Sequence, residues 1–349
     1  MIKTIVFIGV CLIALVLIII LFVYLYYIKR AKNIEQRLNK IEIKMYNSYK
    51  DFKIKNPYDY KGNYYKAQLH THTKESDGKI ITKNLIKEYK DRGYNFLAIT
   101  DHNKITINNN YDTENFITIV GEEMTIIDPF WPLGRHLNRL FVKGKISKNR
   151  LTDVDEILNS TNINIINHPA TISGLGTQRW DIEFLLKLNN IKFIEINNHF
   201  SDEKSNLKYW HILLNKYGPQ KPIWALAVDD THKKEDINKS WVMVKTENIT
   251  EKALKKALNR GSFYCTQGVD AEFQIFNKKL SVKTNKRYKI DYINKKNEIV
   301  KSEKSNNSFY QFEGDEGFIR IEVINTNDNI KLWSQPFWIV DKRDEVIGC

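Results

Sequence analysis

The sequence predicts an α/β protein: a parallel sheet with helical crossovers, closed into a barrel, preceded by one apolar helix and followed by a small antiparallel β appendage. Three observations carry that prediction. From Tyr65 to about Gly261, short apolar runs alternate with segments of helical period. From Thr4 to Ile28 no residue is charged, and most are Ile, Leu, Val, Phe or Tyr. From Val269 to Cys349 helical periodicity disappears and short alternating runs are separated by Asn/Lys/Gly turns.

An uncharged run longer than about 20 residues is long enough to cross a bilayer as a helix. Residues 4–28 are therefore predicted to be a transmembrane helix, with Tyr24, Tyr26 and Tyr27 at the headgroup level. A cleavable signal peptide would have a shorter apolar region and a small-residue cleavage site. This run ends Tyr-Tyr-Ile-Lys-Arg, so a retained single-pass anchor is the better reading. Lys29, Arg30, Lys32, Arg37, Lys40 and Lys44 follow it against Lys3 before it, which favours a cytoplasmic body. Residues 29–56 read as a basic helical stalk, in which Ile34, Leu38, Ile41 and Met45 form a short apolar seam. That seam fits either a weak dimer or a helix lying on anionic headgroups. The turn-forming stretch from Asn56 to Gly62 marks the entry to the body.

Within the body, predicted for residues 57–268, Tyr65–Leu69 reads as the first strand. Phe96–Thr100, Phe116–Val120, Ile163–Ile166, Ile191–Ile196 and Ile223–Val228 are buried-type strands. Helices are expected at Thr82–Arg92 (Thr82 as N-cap, Gly93 as left-handed stop), Asp153–Leu158, Asp181–Leu188, Ser205–Lys216 and Thr250–Leu258. Runs at Phe273–Phe276, Tyr288–Tyr292, Phe318–Ile324 and Phe337–Val340 make residues 269–349 the β-rich appendage, with no titratable cluster.

Composition narrows the function classes. A hydrophobic content of 42%, with 12% aromatic, is ample for a packed core. The net charge of +13 points to anionic company, but no Lys/Arg array interleaved with aromatics tracks a nucleic acid, and none is expected as partner. Cys11, Cys265 and Cys349 form no C-x-x-C pair, so neither a disulfide framework nor a thiolate metal site is expected. No Gly-x-Ser-x-Gly or Ser-x-x-Lys motif offers a nucleophile.

The chemistry gathers at the strand ends instead. Successive strand residues alternate faces, so His70 and His72 emerge together and can share one divalent cation, and Asp77 in the turn closed by Gly78 can hold a second. Further strands or their loops end in Asp101-His102-Asn103, Gly121-Glu122-Glu123, Gly134-Arg135-His136, Asn167-His168-Pro169 and Asp229-Asp230-Thr231-His232. Six of the eight histidines sit at such ends, the rim where parallel β/α folds build sites. His211 reads as a packed helix residue; His199 follows a strand and is ambiguous.

His70-x-His72 with Ser76-Asp77-Gly78, Thr100-Asp101-His102-Asn103, Gly121-x-Glu123, Asn167-His168-Pro169 and Asp230-x-His232 resemble, in order, the motifs of the PHP (polymerase and histidinol phosphatase) metallohydrolases. The run from Gly121 to Thr125, followed by His136-x-Asn138, is similar to the CehA/McbA-like branch. The resemblance implies a distorted (β/α)7 barrel and two or three divalent metals, zinc, manganese or iron. It further implies one metal among His70, His72, Glu123 and Asp230, a second bridged by Glu123 to His136 and His168, and a third on Asp77, His102 and His232. The Gly-x-Glu spacing selects Glu123, with Glu122 as fallback; Asp101 is expected to orient a ligand. Arg135, Arg139, Arg179 and Lys104 are candidate phosphate clamps, Arg135 foremost.

The implied activity is a metal-dependent phosphoesterase acting on a small phosphorylated or ester-type substrate through metal-bound hydroxide. Two other readings stand beside it. One is amide, carbamate or ester hydrolysis at the same metals; the other is a non-catalytic, membrane-tethered binding or scaffold module.

Overall fold

The computed structural model describes residues 2–41, 48–107, 109–128, 134–144, 146, 149–160, 163–171 and 178–342. Met45 of the predicted seam and Cys349 lie outside them, as do parts of the loops at 108–114, 128–134 and 173–180. The chain opens with helix α1 (Ile2–Lys40), the one described helix long and apolar enough to cross a membrane. Strand β1 (Phe52–Lys55) follows, then the body: β2 (Asn63–Gln68), α2 (Thr82–Asp91), β3 (Phe96–Ile99), β4 (Ile117–Ile127), β5 (Gly134–Leu140), α3 (Val154–Ser160), β6 (Ile163–Ile166), α4 (Ile182–Leu185), β7 (Phe193–Asn197), α5 (Glu203–Tyr217) and β8 (Trp224–Ala227). β9 (Trp241–Thr246), α6 (Glu251–Arg260) and β10 (Phe263–Thr266) lead into the C-terminal strands. These are β11 (Ala271–Phe276), β12 (Lys279–Asn294), β13 (Ile299–Gln311), β14 (Phe318–Ile324), β15 (Lys331–Trp333) and β16 (Phe337–Asp341).

The body is mixed rather than all-parallel. β2, β3 and β4 are parallel, as are β6, β7 and β8, but β5 runs antiparallel between β4 and β6. Gly121 sits where β4 leaves its parallel partner β3 and joins β5; a Cβ there would meet Arg139 O at 2.9 Å. The two ends of this seven-strand run meet at the carboxyl rim, where Thr71 bridges Thr231 and His72 N donates to Thr231 O (2.9 Å). β9 pairs antiparallel with β2 and with β10, and β10 with β15, so body and C-terminal strands share one continuous sheet.

The uninterrupted apolar runs reflect burial on both faces. In β3, Phe96 and Ala98 enter the main core, while Leu97 and Ile99 face α2 through Leu85, Ile86 and Tyr89. A separate core of Phe273, Ile290, Tyr292, Ile321, Val323 and their neighbours fills the C-terminal sheet.

Several boundaries move. α2 begins at Thr82 itself, with Ile81 in the cap position and no side-chain cap, so Thr82 is not its N-cap. Gly93 does stop it, at φ +75°. The predicted stalk does not run free to residue 56: β1 pairs with β16, and Phe52 and Tyr58 are buried in the C-terminal core. Two residues of its seam are covered by the body of the same chain. Ile34 and Leu38 are each 1% exposed, and Leu38 lies in the main core of its own body.

Candidate metal centre

β2 carries the chain to the rim, where His70 and His72 leave on one face, both fully buried. The next residues fold into a tight turn because Asp101 collects them: Thr73 N and Oγ1 donate to its two oxygens (2.7 and 2.9 Å), Ser76 Oγ donates at 2.8 Å and Thr106 Oγ1 at 2.6 Å. Gly78 is required there, since a Cβ would stand 2.6 Å from His72 O. Asp101 is thus a brace for the turn that delivers Asp77, with its oxygens committed to hydroxyls and an amide. Expected to orient a ligand, it orients the turn that carries one.

Four donors converge at the centre. His70 Nε2 lies 3.1 Å from His72 Nε2 and 3.3 Å from both Glu123 Oε2 and Asp230 Oδ1. His72 Nε2 lies 3.2 Å from Glu123 Oε2 and 3.1 Å from Asp230 Oδ1. Donors about 2.0–2.2 Å from a shared tetrahedral ion stand about 3.3–3.6 Å apart, so the spacing is slightly tighter than a coordination shell. Glu123 turns its other oxygen to a second set: His136 Nδ1 at 3.1 Å and His168 Nε2 at 3.3 Å. His102 Nδ1 lies 3.2 Å from Glu123 Oε2, and on its far side His102 Nε2 approaches Asp77 Oδ2 (3.5 Å), which also meets His232 Nε2 (3.3 Å). Nine side chains from separate parts of the chain therefore form one continuous array around Glu123.

These donors fit divalent cations better than they fit one another. Asp230 Oδ1 is buried and makes no hydrogen bond, although two imidazole nitrogens crowd it. His72, His102 and His168 each keep a buried Nδ1 without a hydrogen-bond partner. Buried polar atoms are seldom left so, and groups of His, Asp and Glu with mutually close donor atoms fit a multinuclear metal site. Backbone strain marks the same place: His168 and Asp230 hold φ of +26° and +50°, unusual for residues with side chains.

Electrostatics follow the arrangement. Burial alone would lower the His70 and His72 pKa values, but the carboxylates of Asp230 and Glu123 overcome it and raise both. His168 is raised against its burial by Glu123, and His232 by Asp77 and Asp230. His136, by contrast, is lowered, because burial outweighs Glu123. Burial works against ionising Glu123 and Asp230, yet the surrounding imidazoles hold both well below the usual carboxylate range. Asp77 is lowered in the same way by His102 and His232.

Neighbouring pairs of acids separate, Glu122 and Glu123 by strand alternation, Asp229 and Asp230 beyond the end of β8. Glu122 turns away from Glu123 and pairs with Arg139. Asp229 accepts from the amides of Asn238, Lys239 and Ser240 and from Tyr89 Oη, leaving Asp230 to the array. The expected arginine clamps are all committed elsewhere. Arg135, the foremost of them, lies on the face of β5 opposite His136, pairs with Asp128 and stacks over Trp180. Arg179 faces Glu35 (3.8 Å) and Lys104 pairs with Glu75. Instead Lys79 and Lys233 line the cavity of about 430 Å³ above the array, with Gln178 and Phe200. His199 bonds to Asp229 O (2.8 Å) and faces Asp236, at the margin of the site.

Glu195 was not foreseen. Fully buried on β7, it accepts from His70 Nδ1 (2.7 Å), His168 N (2.7 Å) and Asn198 Nδ2 (3.0 Å). Asn198 also donates to Asp230 Oδ2 (3.0 Å), and Asn167 to Glu123 Oε1 (2.7 Å). The signal was present: a lone carboxylate inside the apolar run Phe193-Ile194-Glu195-Ile196 has to be paired where it is buried.

No protein-family model matches the chain, and no curated protein matches it. Among solved structures it is similar to a two-domain protein from Bacteroides vulgatus containing a predicted PHP-like metal-dependent phosphoesterase, at 16% identity and a TM-score of 0.46, over 86% of this chain and 98% of that one. It is also similar to PsfC from Pseudomonas syringae (11% identity, TM-score 0.40, 56% and 87% covered). A third is an amidohydrolase from Chromobacterium violaceum with bound sulfate and no metal (14% identity, TM-score 0.34, 49% and 89% covered).

Proposed function

We propose that the chain is a membrane-anchored, metal-dependent phosphoesterase of the PHP kind, nearest the CehA/McbA-like branch, with its body on the cytoplasmic side. The observation that carries this reading is the two-sided use of Glu123, whose separate oxygens serve separate histidine sets. His70, His72, Glu123 and Asp230 would hold one divalent ion, Glu123, His136 and His168 a second, and Asp77, His102 and His232 a third. Zinc, manganese and iron all suit such donors.

Bound there, such ions supply hydroxide at neutral pH by lowering the pKa of a coordinated water. The chain's own residues prepare for them. Glu123, Asp230 and Asp77 stay anionic at neutral pH, and His136 stays neutral with its lone pair available. Glu195 accepts the His70 Nδ1 proton, which leaves Nε2 free to face the array. Lys79 and Lys233 line the cavity where a phosphoryl group would enter, and their charge favours an anionic ester over a neutral one.

The test is phosphate release from a panel of mono- and diesters by the full chain supplied with Mn²⁺ or Zn²⁺, beside a carboxyl-ester and carbamate panel. Phosphate release, lost by at least a hundredfold in His70→Ala, is expected. Turnover confined to carbamates or carboxyl esters would replace the proposed chemistry, and no turnover of either class would leave a binding module.

A further inference from the structure

From Val10 to Tyr26 the side chains of α1 are exposed apart from half-buried Val23; then Tyr27 is 2% exposed. Counting back from Tyr27, about twenty residues at about 1.5 Å each fill a hydrocarbon layer about 30 Å thick. The helix therefore meets its own body where it would leave the bilayer, with no spacer between. From that point it is clasped. Arg30 pairs with Asp128, which also takes Arg135. Ile34 and Leu38 are buried, Arg37 pairs with Asp181 (2.9 Å) and Glu183 (3.3 Å), and Lys208 Nζ donates to Asn39 Oδ1 (2.6 Å).

The order of these contacts fixes which end of the body faces the membrane. Arg30 reaches Asp128, just past the end of β4, and through it Arg135, the residue before the array's His136. Arg37 reaches the N-terminal turn of α4, and Asn39, nine residues and about 13 Å beyond Arg30 along the helix axis, reaches α5, so the end of β4 is the part of the body met first from the bilayer side. Gln178, three residues before the N-cap of α4, stands 3.5 Å from His136 Nε2 at the mouth. Lys79 and Lys233 add positive charge to that mouth, in a chain of net charge +13, as suits an anionic surface.

Resting on the phosphoesterase reading above, we propose that the metal centre works at the bilayer surface on a phosphate monoester borne by a membrane-embedded amphiphile. In that reaction an oxygen from water bonds to phosphorus as the ester P–O bond breaks. The lipid alcohol leaves with one proton of the water, and inorganic phosphate is released.

The test uses the full chain with Mn²⁺ in phosphatidylcholine vesicles, comparing vesicle-embedded dioleoyl phosphatidic acid with water-soluble p-nitrophenyl phosphate. The expected result is a kcat/KM at least tenfold higher on the embedded ester. Loosening the clasp in Arg30→Ala/Arg37→Ala should lower that value at least tenfold while leaving the soluble ester within twofold. Independently of turnover, a fluorophore on Gln178→Cys, with Cys11 and Cys349 changed to Ser, should be quenched by headgroup-quencher lipids, and one on Lys304→Cys should not. Preference for the soluble ester, an unchanged embedded rate in the clasp variant, or equal quenching at both positions overturns the surface geometry alone. Absence of phosphate release from both esters overturns the phosphoesterase reading and this inference with it.

Discussion

Glu195 shows how much of the centre depends on groups that never touch an ion. Its Oε1 takes the His70 Nδ1 proton and its Oε2 takes two further donors, His168 N and Asn198 Nδ2. An amide can offer only one accepting oxygen, so Glu195→Gln sets an N–H₂ against donors on one side or the other. Loss of such a partner usually costs 10–100-fold in metal affinity, and that range is predicted for Glu195→Gln by competition with a chromophoric chelator. Affinity equal to wild type would show that His70 is oriented by something else. Alternation explains what the residues alone could and could not reveal. It separates Glu122 from Glu123 and Arg135 from His136, and the sequence already contained that period. Four cationic side chains close to ligands in sequence are taken by carboxylates, one of them (Glu35) distant from the ligand motifs, and no local pattern announces such a partner.

At the scale of elements, the cap expected at Thr82 fell one residue off, whereas the apolar runs of β3, β6 and β8 were legible, because burial on both faces is written locally. The reversal of β5, and the pairing of β9 and β10 into the C-terminal sheet, were not; direction depends on partners far along the chain. One such partner protects the edge of β8. Ala225 N donates to Gln335 Oε1 and Gln335 Nε2 to Ala225 O, both at 2.9 Å, so an amide side chain stands in for a missing strand. Gln335→Ala strands a buried N–H and is predicted to cost about 1–3 kcal/mol in denaturant unfolding. A cost within error of zero would mean that the edge re-pairs. His211 makes the second tie, packing α5 against the C-terminal sheet through Lys295 O (2.9 Å) and the Phe318 ring. Burial, with Arg320 nearby, lowers its pKa to about 3, and its Nδ1 has no acceptor. The unfolded chain therefore binds a proton that the native one refuses. This contribution to stability is complete above about pH 6.5 and is lost as pH falls towards 3, on the order of several kcal/mol. His211→Gln, which keeps a donor for Lys295 O, should flatten that part of the pH–stability curve; an unchanged slope would contradict it.

Across the whole molecule, one sheet carries the main and the C-terminal cores, and α1 is fastened beside the rim, through Asp128 just past the end of β4. The seven-strand run and the nine-residue donor array follow the order of the motifs, whereas the clasp on α1 rests on contacts between residues about a hundred or more positions apart. One physical claim underlies the rest, that imidazoles and carboxylates crowded around a buried Asp230 Oδ1 with no hydrogen bond are there to share cations. Metal content of the purified full chain, dialysed against buffer with trace Zn²⁺ and Mn²⁺ and measured by plasma mass spectrometry, tests it most directly. Two or three equivalents are predicted, falling to one or fewer in Glu123→Ala because that side chain serves more than one ion. One equivalent or none in the wild-type chain, or full occupancy retained in Glu123→Ala, would contradict the claim.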